Sequence, residues 1–172
     1  IYSAPGKAVK EAYDSAGVVA NDRGITVWLK GNRVSRNQIM AIKEESVTDQ
    51  KNSLTVCLDN ILRHAGITRN TEYDLAQGKT AIQILEENMT GVQVLDLSGC
   101  SLDAVLYYVN QDIPVLAILE DGEAVLVTGF NEFNVVIMEP STGKLYKKGM
   151  NDATTWFAEN GNHFISYMKI DN

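Results

Sequence analysis

The chain has 172 residues, of which 45% are hydrophobic and 22% are charged, an ordinary composition for one globular domain with a core. Its 15 basic and 22 acidic residues give a net charge of −7 without a basic patch, which excludes nucleic acid and anionic membrane surfaces as partners. No apolar run approaches the ~18 residues of a membrane span.

The first 46 residues differ in pattern from the rest. A helix is predicted over residues 6–15 and a short strand over 25–29. Because a segment of this length rarely sustains a core alone, we interpret 1–46 as an arm or extension packed on a main unit, 47–172. The start at Ile1 shows no signal-peptide pattern, which leaves open a processed form or a piece of a longer protein.

The main unit opens with a helix that is predicted to begin at Ser53, with that serine as a helix N-cap, and to end at Gly66. Asp59 and Arg63 are four residues apart and are predicted on its outer face. Its apolar residues follow the spacing of one buried helical face: Leu54, Cys57, Leu58, Ile61, Leu62 and Ala65.

The remaining pattern predicts helices followed by an antiparallel sheet. Ser101 is the predicted N-cap of one of these helices, and the pair Asp121-Gly122 is a predicted turn between two strands. This order is typical of an α+β fold. The predicted elements are helices over 79–88, 101–109 and 152–159, strands over 92–95, 113–119, 124–130, 135–138 and 163–168, and a basic loop over 144–148.

Four stretches of the main unit carry a family resemblance. They are Ser53–Leu62 with Gly66, Pro114-Val115, Gly122–Phe130, and Glu139-Pro140 with Gly143. In order and spacing, over about residues 48–168, the chain resembles the papain-like cysteine peptidases that process the double-glycine leaders of bacteriocins, and their stand-alone bacterial relatives. The resemblance implies a papain-like fold, with N-terminal helices packed on an antiparallel sheet.

The catalytic positions of that family carry other residues in this chain. The resemblance places the nucleophile position on Ser53, the base on Glu123, the orienting carboxylate on Glu139, and the glycine after the nucleophile on Leu54. Gln50 lies near the position of the oxyanion-hole glutamine, although its spacing is shorter than the family's. Gln50 and Tyr108, one of two adjacent tyrosines of which one could line the former cleft, are candidate binding residues.

These substitutions argue against peptidase activity. A serine nucleophile needs a base to take its proton, whereas a cysteine at a helix N-terminus gains thiolate character from its surroundings. A glutamate has an ordinary pKa near about 4.3, and it cannot accept a proton on one side while a carboxylate orients the other, as imidazole does. Leu54 also replaces a glycine that would let the backbone approach a substrate.

Other reactive residues offer weaker alternatives. Cys57 is a displaced candidate nucleophile, although its apolar helical face favours packing. His64 follows Cys57 by about two turns, or ~10 Å along the axis, so the two cannot form a dyad, and His163 is predicted as a partly exposed histidine. Glu123 and Glu139 would repel each other unless they shared a proton or a cation.

The pair Glu123 and Glu139 leaves a weak divalent-ion site as an open alternative. Apart from that site, we expect neither a metal nor a cofactor. Cys57 and Cys100 allow one disulfide or none. The sequence gives no indication of oligomeric state.

The favoured hypothesis is a catalytically inactive peptidase-like domain of a larger bacterial protein, extracytoplasmic or envelope-associated. Its role would be binding or scaffolding, with a peptide or protein segment in the former cleft. The alternative is a residual cysteine- or serine-type peptidase or hydrolase that uses Ser53 or Cys57 with Glu123. A third hypothesis is a structural or interaction module without a ligand.

Overall fold

The computed structural model describes residues 9–10, 13–14, 18–20, 26–29 and 42–170. Residues 9–10 and 13–14 are helical, and the rest of the helix predicted over 6–15 lies outside the described residues. The strands β1 (Val18–Ala20) and β2 (Thr26–Leu29) pair in antiparallel fashion, of which only β2 was predicted. Tyr13 is buried with the core of the main unit, and its hydroxyl donates to the carboxylate of Asp103.

Five helices lie within residues 42–170. Four of them were predicted to within a few residues, whereas α2 was not predicted, because five residues carry too little periodicity to identify. No helix in the described part of the chain has the length and apolar character required to cross a bilayer. The helices are α1 (Ser53–His64), α2 (Glu72–Ala76), α3 (Ala81–Asn88), α4 (Leu102–Asn110) and α5 (Met150–Glu159).

A six-stranded antiparallel sheet forms the other layer, in the order β3-β8-β4-β5-β6-β7. Helices α1 and α4 both pack on β5, and every residue of that strand is buried. This arrangement confirms the predicted α+β class. The strands are β3 (Val92–Asp96), β4 (Val115–Ile118), β5 (Ala124–Phe130), β6 (Asn134–Glu139), β7 (Lys144–Gly149) and β8 (Phe164–Lys169).

The basic loop predicted over 144–148 is wrong, since these residues form β7. Its register with β6 is regular, from Glu139 opposite Lys144 to Asn134 opposite Gly149. The strand lies at one edge of the sheet, where lysine side chains can reach solvent while one side of the backbone pairs. Lysine content alone therefore misidentified an edge strand as a loop.

The predicted outer position of Asp59 is also wrong. Its side chain is 2% exposed, because residues that follow α1 fold back over this face of the helix. The Asp59 carboxylate accepts from the N–H and the hydroxyl of Thr71, each at 2.8 Å, and lies 3.0 Å from the Lys51 ammonium. A buried carboxylate with these three partners is satisfied.

The N-terminal capping of α1 and α4 differs in part from the predictions. Asn52 is the N-cap of α1, where its side-chain oxygen accepts from the N–H of Thr55 at 2.9 Å, so Ser53 is the first residue inside the helix. Ser101 is the N-cap of α4 as predicted, but its hydroxyl makes no capping bond and is buried without a hydrogen-bond partner in the described structure.

Candidate functional site

Ser53, which the resemblance predicts at the nucleophile position, is joined to the sheet. Its hydroxyl oxygen accepts a hydrogen bond from the backbone N–H of Ala124 at 2.8 Å, and the residue is 3% exposed. Pairing of β5 with β6 begins only at Leu126, so Ser53 supplies a partner for a buried donor at the start of β5. The bond therefore links the first residue of α1 to the first residue of β5.

Glu123, which the resemblance predicts at the base position, directly precedes Ala124 and is exposed. The turn that carries it is fixed by its own backbone: the N–H of Glu123 donates to Asp121 at 3.0 Å, and its carbonyl accepts from Leu119 at 2.8 Å. Gly122 adopts φ +85° in this turn, a conformation that favours glycine. Ser53 thus lies beside the residue that follows Glu123, although no hydrogen bond joins the Glu123 carboxylate to Ser53 among the described residues.

Cys57 lies one turn further along α1 and is fully buried. Burial, with a smaller contribution from the negative charge of Glu123, raises the pKa of the Cys57 thiol well above its ordinary value. The thiol is therefore neutral near pH 7, which disfavours nucleophilic attack. Cys57 and Cys100 form no disulfide with each other. Cys100 is likewise buried, and burial raises its pKa to about 12.

Glu139, which the resemblance predicts as the orienting carboxylate, interacts within its own hairpin. It accepts from the Ser141 hydroxyl at 3.3 Å and lies opposite Lys144 in the ladder. Burial, followed by the charge of Glu139 and a hydrogen bond to it, raises the pKa of Tyr146 to about 12. In the described structure no hydrogen bond connects Glu139 with Ser53 or Glu123, so the three positions do not form a hydrogen-bonded triad.

The candidate binding residues are separated by their burial. Gln50 is exposed in the turn before α1, where its N–H donates to the Thr48 hydroxyl at 3.2 Å. Tyr108 is 1% exposed and makes an edge contact with the half-buried Tyr107, with 5.1 Å between ring centroids. The structure therefore places Tyr108 in the core and not on the wall of an open cleft.

Neither histidine contacts the Ser53–Ala124 junction. His64 lies at the opposite end of α1, with Nε2 2.9 Å from the carbonyl oxygen of Asp112. His163 is exposed, with Nε2 3.7 Å from the Glu120 carboxylate. The residues that the structure describes contain no group of three His, Cys, Asp or Glu side chains placed to hold a metal ion.

A groove of about 720 Å³ lies at the His64 end of α1, away from Ser53. Asp112, which adopts φ +65°, Tyr167 and Lys169 contribute to its lining. Its polar side chains already interact, because the His64 ring lies 3.5 Å from the Asp112 carboxylate. This concave surface is therefore separate from the positions of the family triad.

The segment 42–48 packs beside the β6–β7 turn, a contact that the sequence did not indicate. The Val47 N–H donates to the carbonyl of Pro140 at 3.1 Å, and Glu44 accepts from the Leu145 N–H at 2.7 Å. Glu45 lies 3.7 Å from the Lys51 ammonium and 3.5 Å from the Arg63 guanidinium. The segment is thereby attached to both the sheet and α1, at the end of the sheet where β5 begins.

No protein-family model matches the sequence, and no curated protein is significantly similar to it. Among solved structures, the chain is similar to a crystal structure from Bacillus anthracis that is provisionally described as a C39-like peptidase. The TM-score is 0.62 at 16% sequence identity, and the match covers 80% of this chain and 100% of that one. The chain therefore has the fold of a C39-like, papain-like peptidase.

Proposed function

We propose that this chain is a peptidase-like domain that does not cleave peptides and that serves a binding or scaffolding role. The carrying observation is the bond from the Ala124 N–H to the Ser53 hydroxyl, at a position that is 3% exposed. We further propose that the domain belongs to a larger bacterial protein that works outside the cytoplasm or at the cell envelope, as the family resemblance implies.

The chemistry of attack explains why that bond matters. A serine nucleophile needs an oxygen lone pair that can reach the substrate carbonyl and a base that takes its proton. In this chain the Ser53 oxygen is engaged by Ala124, and the Glu123 carboxylate makes no hydrogen bond to it in the described structure. Cys57 does not replace it, because its thiol is buried and neutral.

Binding in the former cleft is supported by what remains exposed around the buried serine. Gln50 lies before α1, and Asp121 and Glu123 lie in the turn that precedes β5. Asp121 and Glu123 leave acidic charge at the surface above the buried Ser53. We propose that this surface binds an extended peptide segment, and its acidity favours a segment with basic residues.

A hydrolysis assay tests the lack of activity. We expect no turnover of a pool of fluorogenic peptides, including peptides with a Gly-Gly cleavage site, by the wild-type chain. Turnover that disappears in Ser53→Ala or in Cys57→Ala, with both variants folded by circular dichroism, would show a residual hydrolase and overturn the proposal.

A matched pair of variants tests binding in the former cleft. Glu123→Trp adds bulk at the exposed turn, whereas Glu123→Ala leaves the surface open. With a pool of basic peptides, we expect saturable binding to the wild type, a small loss in Glu123→Ala and a loss of at least about tenfold in Glu123→Trp. Equal binding by both variants, or no saturable binding by the wild type, would refute binding in the cleft.

A further inference from the structure

The outer edge of β7 has no partner strand among the described residues. This strand ends the sheet order and pairs only with β6 among the described strands. Native proteins commonly cover or pair such an edge, because its free N–H and C=O groups can accept another strand. The register of β7 with β6 shows which of these backbone groups point outward.

The Leu145 N–H points away from β6, since it donates to the Glu44 carboxylate at 2.7 Å. In an antiparallel pair, every second residue directs its backbone groups away from the partner strand. Lys147 and Gly149 therefore direct theirs outward as well. In the described part of the chain, no hydrogen bond reaches the N–H of either residue across this edge.

The same strand is basic although the chain as a whole is acidic. It carries Lys144, Lys147 and Lys148, against a net charge of −7 for the chain. Lys144 and Lys147 are exposed and have no ion pair with a described carboxylate, while Lys148 lies over the Trp156 ring at 4.8 Å from its centroid. The strip therefore offers lysines without an ion pair in the described part of the chain, beside backbone groups that point outward.

One carboxylate from this chain already occupies part of the edge. Glu44 lies 101 residues before Leu145 in sequence and takes its outward N–H. A carboxylate oxygen here stands where the carbonyl oxygen of an added strand would stand. The neighbouring outward groups of Lys147 and Gly149 continue the same row, at a spacing of about 6.8 Å for two residues of a strand.

We propose that the outer edge of β7 binds an extended, acidic peptide segment of a partner protein by strand addition. Backbone hydrogen bonds to Lys147 and Gly149 would hold the segment, and its carboxylates would lie on one face of the sheet, beside Lys147. A second copy of this chain fits less well, because two β7 strands side by side would place lysines next to each other. This inference goes beyond the proposed function, since the edge is separate from Ser53 and Glu123.

The test uses a labelled octapeptide of alternating Glu and Val, with its Lys-for-Glu counterpart as a charge control, measured by fluorescence anisotropy. Lys147→Pro removes an N–H that points away from β6, so the β6–β7 ladder keeps its bonds while the edge loses a donor. Lys147→Ala is the matched control for the charge. We expect the affinity for the acidic peptide to fall about fivefold in Lys147→Ala and about fiftyfold or more in Lys147→Pro.

Two further measurements do not depend on the folding of the proline variant. The acidic octapeptide, N-methylated at alternate residues, keeps its charge but loses donors, and we expect it to bind at least about tenfold more weakly. Glu44→Ala frees the Leu145 N–H, and we expect the unmodified acidic peptide to bind this variant several-fold more tightly. Glu123→Trp should leave this binding unchanged, which separates it from binding in the former cleft.

Three outcomes would overturn the proposal. The first is the absence of saturable binding of the acidic peptide to the wild type. The second is equal affinity of the N-methylated and unmodified peptides, which would show charge attraction without strand pairing. The third is a concentration-dependent dimer in sedimentation that Lys147→Pro abolishes, which would assign the edge to a second copy of the chain.

Discussion

The carboxylate of Asp59 accepts two hydrogen bonds from Thr71, one from the backbone N–H and one from the hydroxyl, each at 2.8 Å. Both residues are buried, and they attach the segment after α1 to the side of that helix. Lys51, 3.0 Å away on the other side, balances the charge. A single acidic side chain thus connects residues before, within and after α1.

Replacing that carboxylate should be costly. We expect Asp59→Ala to lower the free energy of unfolding by about 3 kcal/mol, because it removes two charge-assisted hydrogen bonds and leaves buried donors without a partner. Urea denaturation monitored by circular dichroism measures the change. Glu86→Ala, at an exposed position of α3, is the control and should change stability by less than about 0.5 kcal/mol. Equal effects of the two substitutions would contradict this role.

Two serines at helix starts form a natural comparison. Ser53 accepts from Ala124, whereas the Ser101 hydroxyl is buried without a partner in the described structure. We expect Ser53→Ala to destabilise the fold by about 1–3 kcal/mol, because it leaves the Ala124 N–H unsatisfied. Ser101→Ala should be neutral or slightly stabilising. Thermal and urea unfolding of both variants would measure the difference, and a larger loss in Ser101→Ala would refute it.

The cysteines should be unreactive while the protein is folded. Burial disfavours the thiolate, so it raises the pKa of Cys57 well above its ordinary value and that of Cys100 to about 12. At pH 8 we expect neither thiol to react with iodoacetamide on the timescale of minutes, while both react in urea. Mass spectrometry counts the labels. Rapid labelling of native Cys57 below pH 8 would instead support the residual-hydrolase alternative.

Asp74 should contribute to acid sensitivity. Its carboxylate accepts from the Arg69 guanidinium at 2.8 and 3.0 Å, and this hydrogen bonding lowers its pKa below the ordinary value. A carboxylate whose pKa is depressed in the folded chain stabilises the fold at pH values above its pKa in the unfolded chain, about 3.9. That contribution is lost as the pH falls through the folded pKa. Asp74→Asn should therefore be less stable than wild type at pH 7, with a gap that narrows below pH 4.

Unfolding in urea at a series of pH values between 2.5 and 7 measures that gap. Ser53→Ala, which removes no ionisable group, provides a control whose difference from wild type should vary little with pH. A gap for Asp74→Asn that stays constant to the lowest pH would show that ionisation of Asp74 does not contribute.

The packing of segment 42–48 can be tested at Gly143. This glycine has φ +73°, and a β-carbon here would overlap the side chain of Ser46. Gly122 has φ +85° but open space around it, so Gly122→Ala measures the backbone strain alone, about 1–2 kcal/mol. We expect Gly143→Ala to lower the free energy of unfolding by more than Gly122→Ala does. Ser46→Gly should recover part of that excess in a double-mutant cycle. No coupling between the two sites would contradict the contact.

Local pattern was sufficient for much of the fold. The helical spacing from Leu54 to Leu62 identified α1, although the structure buries every residue from Thr55 to Leu62 and not one face alone. The strand predicted over 124–130 coincides with β5, since a continuous apolar run between two turns suits a strand that is buried throughout. Both elements are long and uniform in environment, so neighbouring residues carried enough information.

The candidate site depended on contacts that are distant in sequence. Ser53 accepts its hydrogen bond from Ala124, 71 residues later. Because the donor is a backbone N–H, the type of residue at position 124 does not indicate the bond. Asp59 lies on the side of α1 opposite its apolar positions. It is buried because the segment that contains Thr71 folds back onto that side. The resemblance predicted that Ser53 and Glu123 share one site, but it could not indicate that the serine oxygen accepts a hydrogen bond from Ala124.

The position of β8 has a consequence for how this fold is completed. β8 lies between β3 and β4, and β3 has no other partner in the described sheet. On the ribosome, β4 to β7 can pair as each strand emerges, since they are neighbours in both sequence and space. β3 is made earlier but must wait until Lys169 has been synthesised. Until then its edge and the exposed side of β4 remain open to mispairing or to a chaperone.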